Sequence, residues 1–350
     1  MADAACVSSW GAAGVLSSDI QPDIALETVA CPGCGGHEFE FMLTGDDHLT
    51  QLGGEFQLVC CTDCSLAIVN PRPTTDSLGY FYPSDYSPYE ADEVRRPSGW
   101  QRWLERSALR SQFGYPPQPV GLMTRLLGQL ASLKFRTRRS RHEWIPFRAP
   151  GRLLDVGCGG GVFLERMRDF GWTVCGLELA ADVAQRVERR TGITIHVGTL
   201  PHAELPSGSF DAVTMWHVLE HVPNPVLVLQ SAAELLRSGG QLVIEVPNID
   251  SWTFAEFGRH WLGLEIPRHF QHFSPSTLEA MLPAGLFRNV EIQQIGMRSL
   301  MKRSAERAVN AGRTEYTEWL TRGKSFWMRK AAWTEAINRA DVIRLIAERA

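Results

Sequence analysis

The 350 residues, 44% of them hydrophobic and 21% charged, have the balance of a chain that buries a core. This excludes a disordered or fibrous protein and leaves room for one large domain with a smaller module. Lys and Arg number 35 against 39 Asp and Glu, and the resulting formal charge of −4 disfavours non-specific nucleic-acid binding, while no apolar run reaches the ~18 residues of a bilayer span.

Residues 1 to about 25, rich in Ala, Ser and Gly, read as a disordered leader. The opening carries no basic stretch ahead of an apolar core, so a cytoplasmic location is expected. Residues 26–90 read as a small β module, because EFEFML and EFQLVC alternate in period two between Gly- and Asp-bearing turns. Cys31 and Cys34, then Cys61 and Cys64, give two C-x2-C pairs separated by 26 residues. In a reducing compartment such pairs hold metal rather than disulfides. Cys60 could replace Cys61, but the two-residue spacing favours Cys61. Four thiolates leave no open coordination position, so the expected ion is a structural Zn2+ that contributes ~10 kcal/mol or more to folding.

Residues 91–149 carry helical spacing of Leu, Phe and Trp in GWQRWLERSALRSQF and LMTRLLGQLASLKFRTRRSRHEWI and read as linker helices. The basic KFRTRRSRH reads as a solvated helix face. From Pro150 the pattern changes. RLLDV, TVCGLE, ITIHV, FDAVTM and QLVIEV alternate with helical segments near 162–170, 180–190 and 224–236, the signature of an α/β fold with helices on both faces of a parallel sheet. A helix at SPSTLEAML, a strand NVEIQQI, charged helices from about 300 to 338 and a last strand DVIRLIA follow.

RLLDVGCGGGVF places Asp155 at a strand end ahead of Gly157, Gly159, Gly160 and Gly161, a turn that lets backbone approach a ligand at a helix start. Glu178 ends the second strand, where a carboxylate can accept from both ribose hydroxyls. The dinucleotide pattern would require glycine at position 162, which is Val162, so the nucleoside expected is not NAD.

LLDVGCGGG, the acid ending the second strand, SFDAVTMWHVLEHV and LLRSGGQLVIEVPN together resemble the class I S-adenosylmethionine-dependent methyltransferases over roughly residues 150–298. The resemblance implies a Rossmann-like seven-stranded sheet with S-adenosylmethionine as cofactor. It implies a seventh, antiparallel strand at the sheet edge, supplied by DVIRLIAER, which makes residues 300–338 an insertion; a lid or a homodimer contact is the reading for that insertion, which the resemblance does not itself supply. In that family Asp155, Gly157, Gly159 and Gly161 would face the methionine end and Glu178 the ribose. Leu179, Thr199 and Leu200 would flank adenine, and Trp216 and His217 would complete the cofactor site. The zinc module with IVNPRPT and YFYPSDY resembles the N-terminal part of bacterial methyltransferases of cell-surface carbohydrate and secondary-metabolite synthesis, which implies a small-molecule acceptor. Tyr82 and Tyr86 are candidates for the acceptor cleft, or else core aromatics.

A sulfonium methyl group is already electrophilic, so the protein must align the acceptor at ~3 to 3.5 Å and dispose of its proton. His217, Glu220 and His221 stand at i, i+3 and i+4 and would share one face of a helix. His221 is the expected base, oriented by Glu220; the alternative is a cap against the cofactor. The segment also resembles ubiquinone-type O-methyltransferases, which hold a divalent cation with acidic residues and a histidine. His217 stands where they have an acid, which argues against an oxygen-rich magnesium site. A second cluster, WLGLEIPRHFQHFSPSTL, offers Arg268 for a carboxylate or phosphate and His269 as rival base and substrate contact, with His272 packed beside Phe270 and Phe273. The expected activity is methyl transfer to oxygen, or to carbon, of a small metabolite, sugar or natural-product intermediate. The alternatives are an RNA base methyltransferase whose zinc ribbon grips nucleic acid and a non-catalytic cofactor-binding scaffold.

Overall fold

The structure is a computed structural model and describes residues 24–49, 54–82, 115, 144–147 and 151–350. The leader up to residue 23, most of the linker helices, the basic KFRTRRSRH stretch and Tyr86 lie outside the described residues.

The strands in chain order are β1 (Leu26–Glu27), β2 (Phe39–Asp46), β3 (Glu55–Cys61), β4 (Ala67–Val69), β5 (Arg72–Pro73), β6 (Arg152–Val156), β7 (Thr173–Glu178), β8 (Ile195–Val197), β9 (Phe210–Trp216), β10 (Leu236–Pro247), β11 (Gln271–His272), β12 (Phe287–Ile295) and β13 (Val342–Arg349). Seven of them form one mixed sheet in the order β12-β13-β10-β9-β6-β7-β8, the architecture the sequence implied. One detail differs. The last strand lies between β10 and β12, not at the edge. Its composition explains why: Val342, Ile343, Leu345 and Ala347 are at most 1% exposed, as an inner strand requires, whereas β12 alternates with exposed residues and tolerates an edge.

Two compact units are distinguishable, residues 1–84, 217–231 and 244–347 in the first and 85–216, 232–243 and 348–350 in the second. In the second, β6 pairs in parallel with β7 and β9, and β7 with β8. Helix α1 (Val162–Asp169) buries Phe163, Leu164 and Met167, and α2 (Ala181–Thr191) buries Val183, Ala184 and Val187, each a single apolar stripe of helical period. Gly192, at φ 68°, ends α2 in the left-handed conformation that glycine adopts without strain.

In the first unit β2 and β3 form the expected hairpin, extended by β4 and then β11 into a four-stranded antiparallel sheet. Phe56, Leu58, Phe81, Trp261, Leu264, Ile266, Met301 and Trp327 share its core. Residues 298–336 are helical, as read from the sequence: α3 (Arg298–Asn310), α4 (Thr317–Thr321) and α5 (Lys324–Ala336). Met301, Ala305 and Ala308 set the buried stripe of α3. Among the described residues no helix is long and apolar enough to cross a membrane.

Candidate functional site

The turn after β6 takes its shape from three left-handed residues, Gly157, Gly159 and Gly161. A Cβ on Gly161 would stand 2.5 Å from Val187 Cγ1, so this position needs glycine for space as well as for φ. The amides of Gly157 and Cys158 both donate to the Leu177 carbonyl of β7, at 2.7 and 3.2 Å. Glu178 is buried and its carboxylate accepts from Gly159 N at 2.9 Å and Ala180 N at 3.0 Å. The same side chain that was read as a ribose ligand therefore also braces the glycine turn and the start of α2. Asp155 is buried and accepts from the Thr214 hydroxyl at 2.6 Å. Leu179 is 68% exposed and Thr199 is exposed, whereas Leu200 is buried. Sequence reasoning missed Val197, which pairs in register with Glu178 and is 46% exposed. An apolar residue left open at a strand end beside Glu178 and Leu179 is suited to a flat heterocycle; its signal was the terminal valine of ITIHV. Trp216 ends β9 and packs edge-on against Phe163 with ring centroids 5.2 Å apart.

The four expected cysteines converge. Cys31 and Cys64 sulfurs are 3.4 Å apart, Cys34 and Cys61 sulfurs 3.5 Å, and all four lie within 4.8 Å of one another. Four thiolates around an ion at ~2.3 Å require sulfur separations of nearly 4 Å, so the set fits tetrahedral zinc. The two loops are built alike: Cys31 N donates to Gly36 O and Cys61 N to Leu66 O, with Gly35 and Ser65 in the left-handed region. Cys60, whose thiol reaches the Cys61 carbonyl, is not in the cluster.

The histidine cluster of the first unit differs from a helical face. Residues 217–221 form turns, and His217 sits at φ 54°. Its Nδ1 is 3.2 Å from Glu220 Oε1 and its Nε2 3.5 Å from Glu245 Oε1. Glu245 is in turn bonded by Arg344 Nε at 2.8 Å. Desolvation opposes charge on the His217 ring, but the bonds to Glu220 and Glu245 outweigh it and hold the ring well above the usual histidine range. Glu220 therefore pairs with His217 and does not orient His221, a correction to the sequence reading. The orienting groups are Tyr82, whose hydroxyl is 2.7 Å from His221 Nδ1, and the Arg268 carbonyl at 3.2 Å from the same nitrogen.

His269 is buried and donates from Nδ1 to Gly263 O at 3.0 Å, leaving Nε2 as an acceptor 3.7 Å from Glu265 Oε2 and 4.0 Å from Glu220 Oε1. Burial, with His221 and His272 nearby, keeps its pKa well below the ordinary value, so the ring is neutral. His221, His269 and Glu220 each bring one ligating atom into a group within 4.8 Å, and Glu220 Oε2 is buried without a partner. A magnesium site of the oxygen-rich kind does not fit here, because the position that would supply a second acid is His217, which already occupies Glu220 and Glu245. Hydroxyl donors suit the acceptors Glu220 Oε2 and His269 Nε2. Arg268 departs from the role read for it. It is fully buried and spends Nε on Glu265 at 3.2 Å, Nη1 on Phe81 O at 3.1 Å and Nη2 on Asp47 at 2.7 Å, so it braces the protein's own loops and is not open to a substrate anion. His272 is buried and bonds the Leu264 carbonyl at 2.9 Å, in keeping with a packing role. Ser274 caps the helix Pro275–Ala280 in a capping box, as expected from SPST.

A family model described as a methyltransferase domain matches residues 130–292. Ubiquinone biosynthesis O-methyltransferase of Xanthomonas oryzae pv. oryzae (strain PXO99A) is 36% identical over 154 residues, 41% of this chain and 64% of that protein. The proteins of the same name from Burkholderia vietnamiensis and Burkholderia thailandensis are 32% and 31% identical, and the aligned segments cover 44% and 47% of this chain and 72% and 78% of theirs. The chain belongs to the class I S-adenosylmethionine-dependent methyltransferases. It spans about 64% of the length of the first of these relatives. In this methyltransferase the glycine turn and Glu178 lie within the segment matched by the family model, while the four-cysteine cluster of residues 31–64 precedes it.

Proposed function

We propose that the protein transfers the methyl group of S-adenosylmethionine to a hydroxyl oxygen of a small, hydroxyl-bearing metabolite. The observation that carries this reading is the set of acceptor atoms offered by His221, His269 and Glu220, which a ligand can satisfy by bringing O–H donors. The names of the related O-methyltransferases favour oxygen over carbon as the acceptor atom.

Asp155, Gly157, Gly159, Gly161 and Glu178 would hold the cofactor, with Leu179, Val197 and Thr199 beside its adenine and Trp216 closing the strand end. His221 Nε2 would take the acceptor proton as the oxygen attacks. Glu220 and His269 would receive the acceptor's remaining donor, and Tyr82 would line its approach. His217, fixed as a cation between two carboxylates, would set the local charge. Cys31, Cys34, Cys61 and Cys64 would hold a structural zinc ion, consistent with a protein of the reducing cytoplasm.

The test is a panel of phenolic, sugar and aliphatic alcohol acceptors, read by formation of S-adenosylhomocysteine and mass of the product. Product from hydroxyl-bearing acceptors, lost in His221→Gln, supports the reading. Methylation of carbon or of RNA alone, or no turnover despite cofactor binding, would overturn it.

A further inference from the structure

We propose that Arg268 is a positioning residue that selects the tautomer of His221. The proposal deepens the reading of His221 as the base and rests on it for its functional meaning.

His221 Nδ1 has two oxygen neighbours of different character. The Tyr82 hydroxyl, at 2.7 Å, can donate or accept; the Arg268 carbonyl, at 3.2 Å, can only accept. A lone pair on Nδ1 would face the lone pairs of that carbonyl. A proton on Nδ1 is stabilised by both oxygens. The carbonyl therefore decides the competition, Nδ1 carries the proton, and Nε2 is left with the lone pair that proton abstraction requires.

A backbone carbonyl can impose this choice only if it is held still. Arg268 holds itself through its own side chain. The guanidinium joins three elements remote in sequence: Asp47 after β2, Phe81 O in the residue preceding Tyr82, and Glu265 in its own loop. One fully buried side chain thus fixes both neighbours of His221 Nδ1, the carbonyl through residue 268 and the hydroxyl through the chain at residue 81. The backbone of residues 219–222 is tied to the same loop. Phe270 N donates to Glu220 O at 2.8 Å, and the Gln271 amide donates to the carbonyls of Leu219 and Val222 at 2.7 and 2.8 Å.

The experiment is heteronuclear NMR of the full zinc-loaded chain with 15N-labelled histidine, the His221 signal being assigned by its loss in His221→Gln. Wild-type His221 should carry its proton on Nδ1. Arg268→Lys keeps a charge against Asp47 but cannot reach Glu265 and Phe81 O together, and should convert the single tautomer into a mixture. Tyr82→Phe should leave the Nδ1–H tautomer in place. Calorimetry with S-adenosylhomocysteine reports whether each variant is folded. A wild-type proton on Nε2, an unchanged tautomer in a folded Arg268→Lys, or a flip in Tyr82→Phe would each overturn the proposal. Should Arg268→Lys fail to fold, the wild-type and Tyr82→Phe spectra decide it. These spectra need no acceptor. If they come out as expected while His221→Gln still turns over, the base assignment falls and the role of Arg268 in orienting the ring stands.

Discussion

Replacing Glu178 tests the proposed cofactor site most directly, because the carboxylate bonds two backbone amides and, on the proposed reading, would also bond the ribose, and the two costs can be separated. The side chain is 5% exposed and accepts from two backbone amides, Gly159 N at 2.9 Å and Ala180 N at 3.0 Å. Bonds to a charged acceptor contribute about 1.5–3 kcal/mol each. In Glu178→Ala both amides lose that partner, so the glycine turn and the start of α2 should loosen and the melting temperature should fall. The ribose hydroxyls of a bound cofactor would lose bonds of the same kind. A combined loss of ~3 kcal/mol is about a hundredfold in Kd for S-adenosylhomocysteine. Glu178→Gln keeps one carbonyl acceptor and its volume, and should lie between the wild type and alanine in both quantities. Titration calorimetry gives the affinities, and circular dichroism at matched temperature verifies that the sheet persists. An alanine variant that stays folded and binds S-adenosylhomocysteine within twofold of the wild type would refute the assignment of Glu178 to the nucleoside.

Cys34→Ser should remove one equivalent of zinc by metal analysis and strip hydrogen-exchange protection from β2 and β3, since a structural zinc contributes ~10 kcal/mol or more; full protection in a metal-free chain would contradict a structural role. Gly161→Ala forces a side chain into φ 76° and against Val187 Cγ1, at a cost of ~2 kcal/mol, and should appear as a lower melting temperature with weaker cofactor binding; an unchanged melting temperature would show that the turn relaxes freely. Asp341 is buried, and that burial raises its carboxyl to about 7 despite bonds from the Thr253 hydroxyl and Met297 N. The folded state then holds the proton more tightly than the unfolded one, so this group's contribution falls as pH rises from about 4 through 7, by about 4 kcal/mol in all. Asp341→Asn should lack that decline in denaturant titrations run across the range, and parallel wild-type and variant curves would argue against a raised pKa.

What the sequence disclosed follows the range over which each interaction acts. Strand alternation, the glycine turn and the acid at the end of β7 are local patterns, and the structure reproduces them with little change. The thiolate set was legible because two short knuckles announce themselves by spacing, even though the sulfurs come together across 27 and 33 positions. The position of β13 was misjudged because edge or centre depends on which neighbour arrives, although VIRLIA, apolar at every position but Arg344, was an available sign. The histidine cluster was read as a helix from spacing alone. The left-handed backbone at His217 breaks that period, and no pattern of residues announced it.

The misread roles of Arg268 and Glu220 have one physical origin. A charged side chain shows in a sequence as a charge to be used, and only the fold reveals whether it has already been neutralised. Arg268 meets Asp47 across 221 positions, and His221 meets Tyr82 across 139. The two pairs are joined through Arg268, whose guanidinium bonds both Asp47 after β2 and the Phe81 carbonyl next to Tyr82, so the end of the β2 strand is linked to the surroundings of His221. The hydrophobic cluster containing Phe56, Phe81, Leu264 and Ile266 supplies the rigidity, since side chains packed at crystal-like density transmit a displacement to their neighbours. If the four cysteines hold zinc as proposed, the ion would bear on His221 indirectly: by ordering β2 and β3 it would order Asp47, through Asp47 the Arg268 guanidinium, and through Arg268 the carbonyl that faces His221.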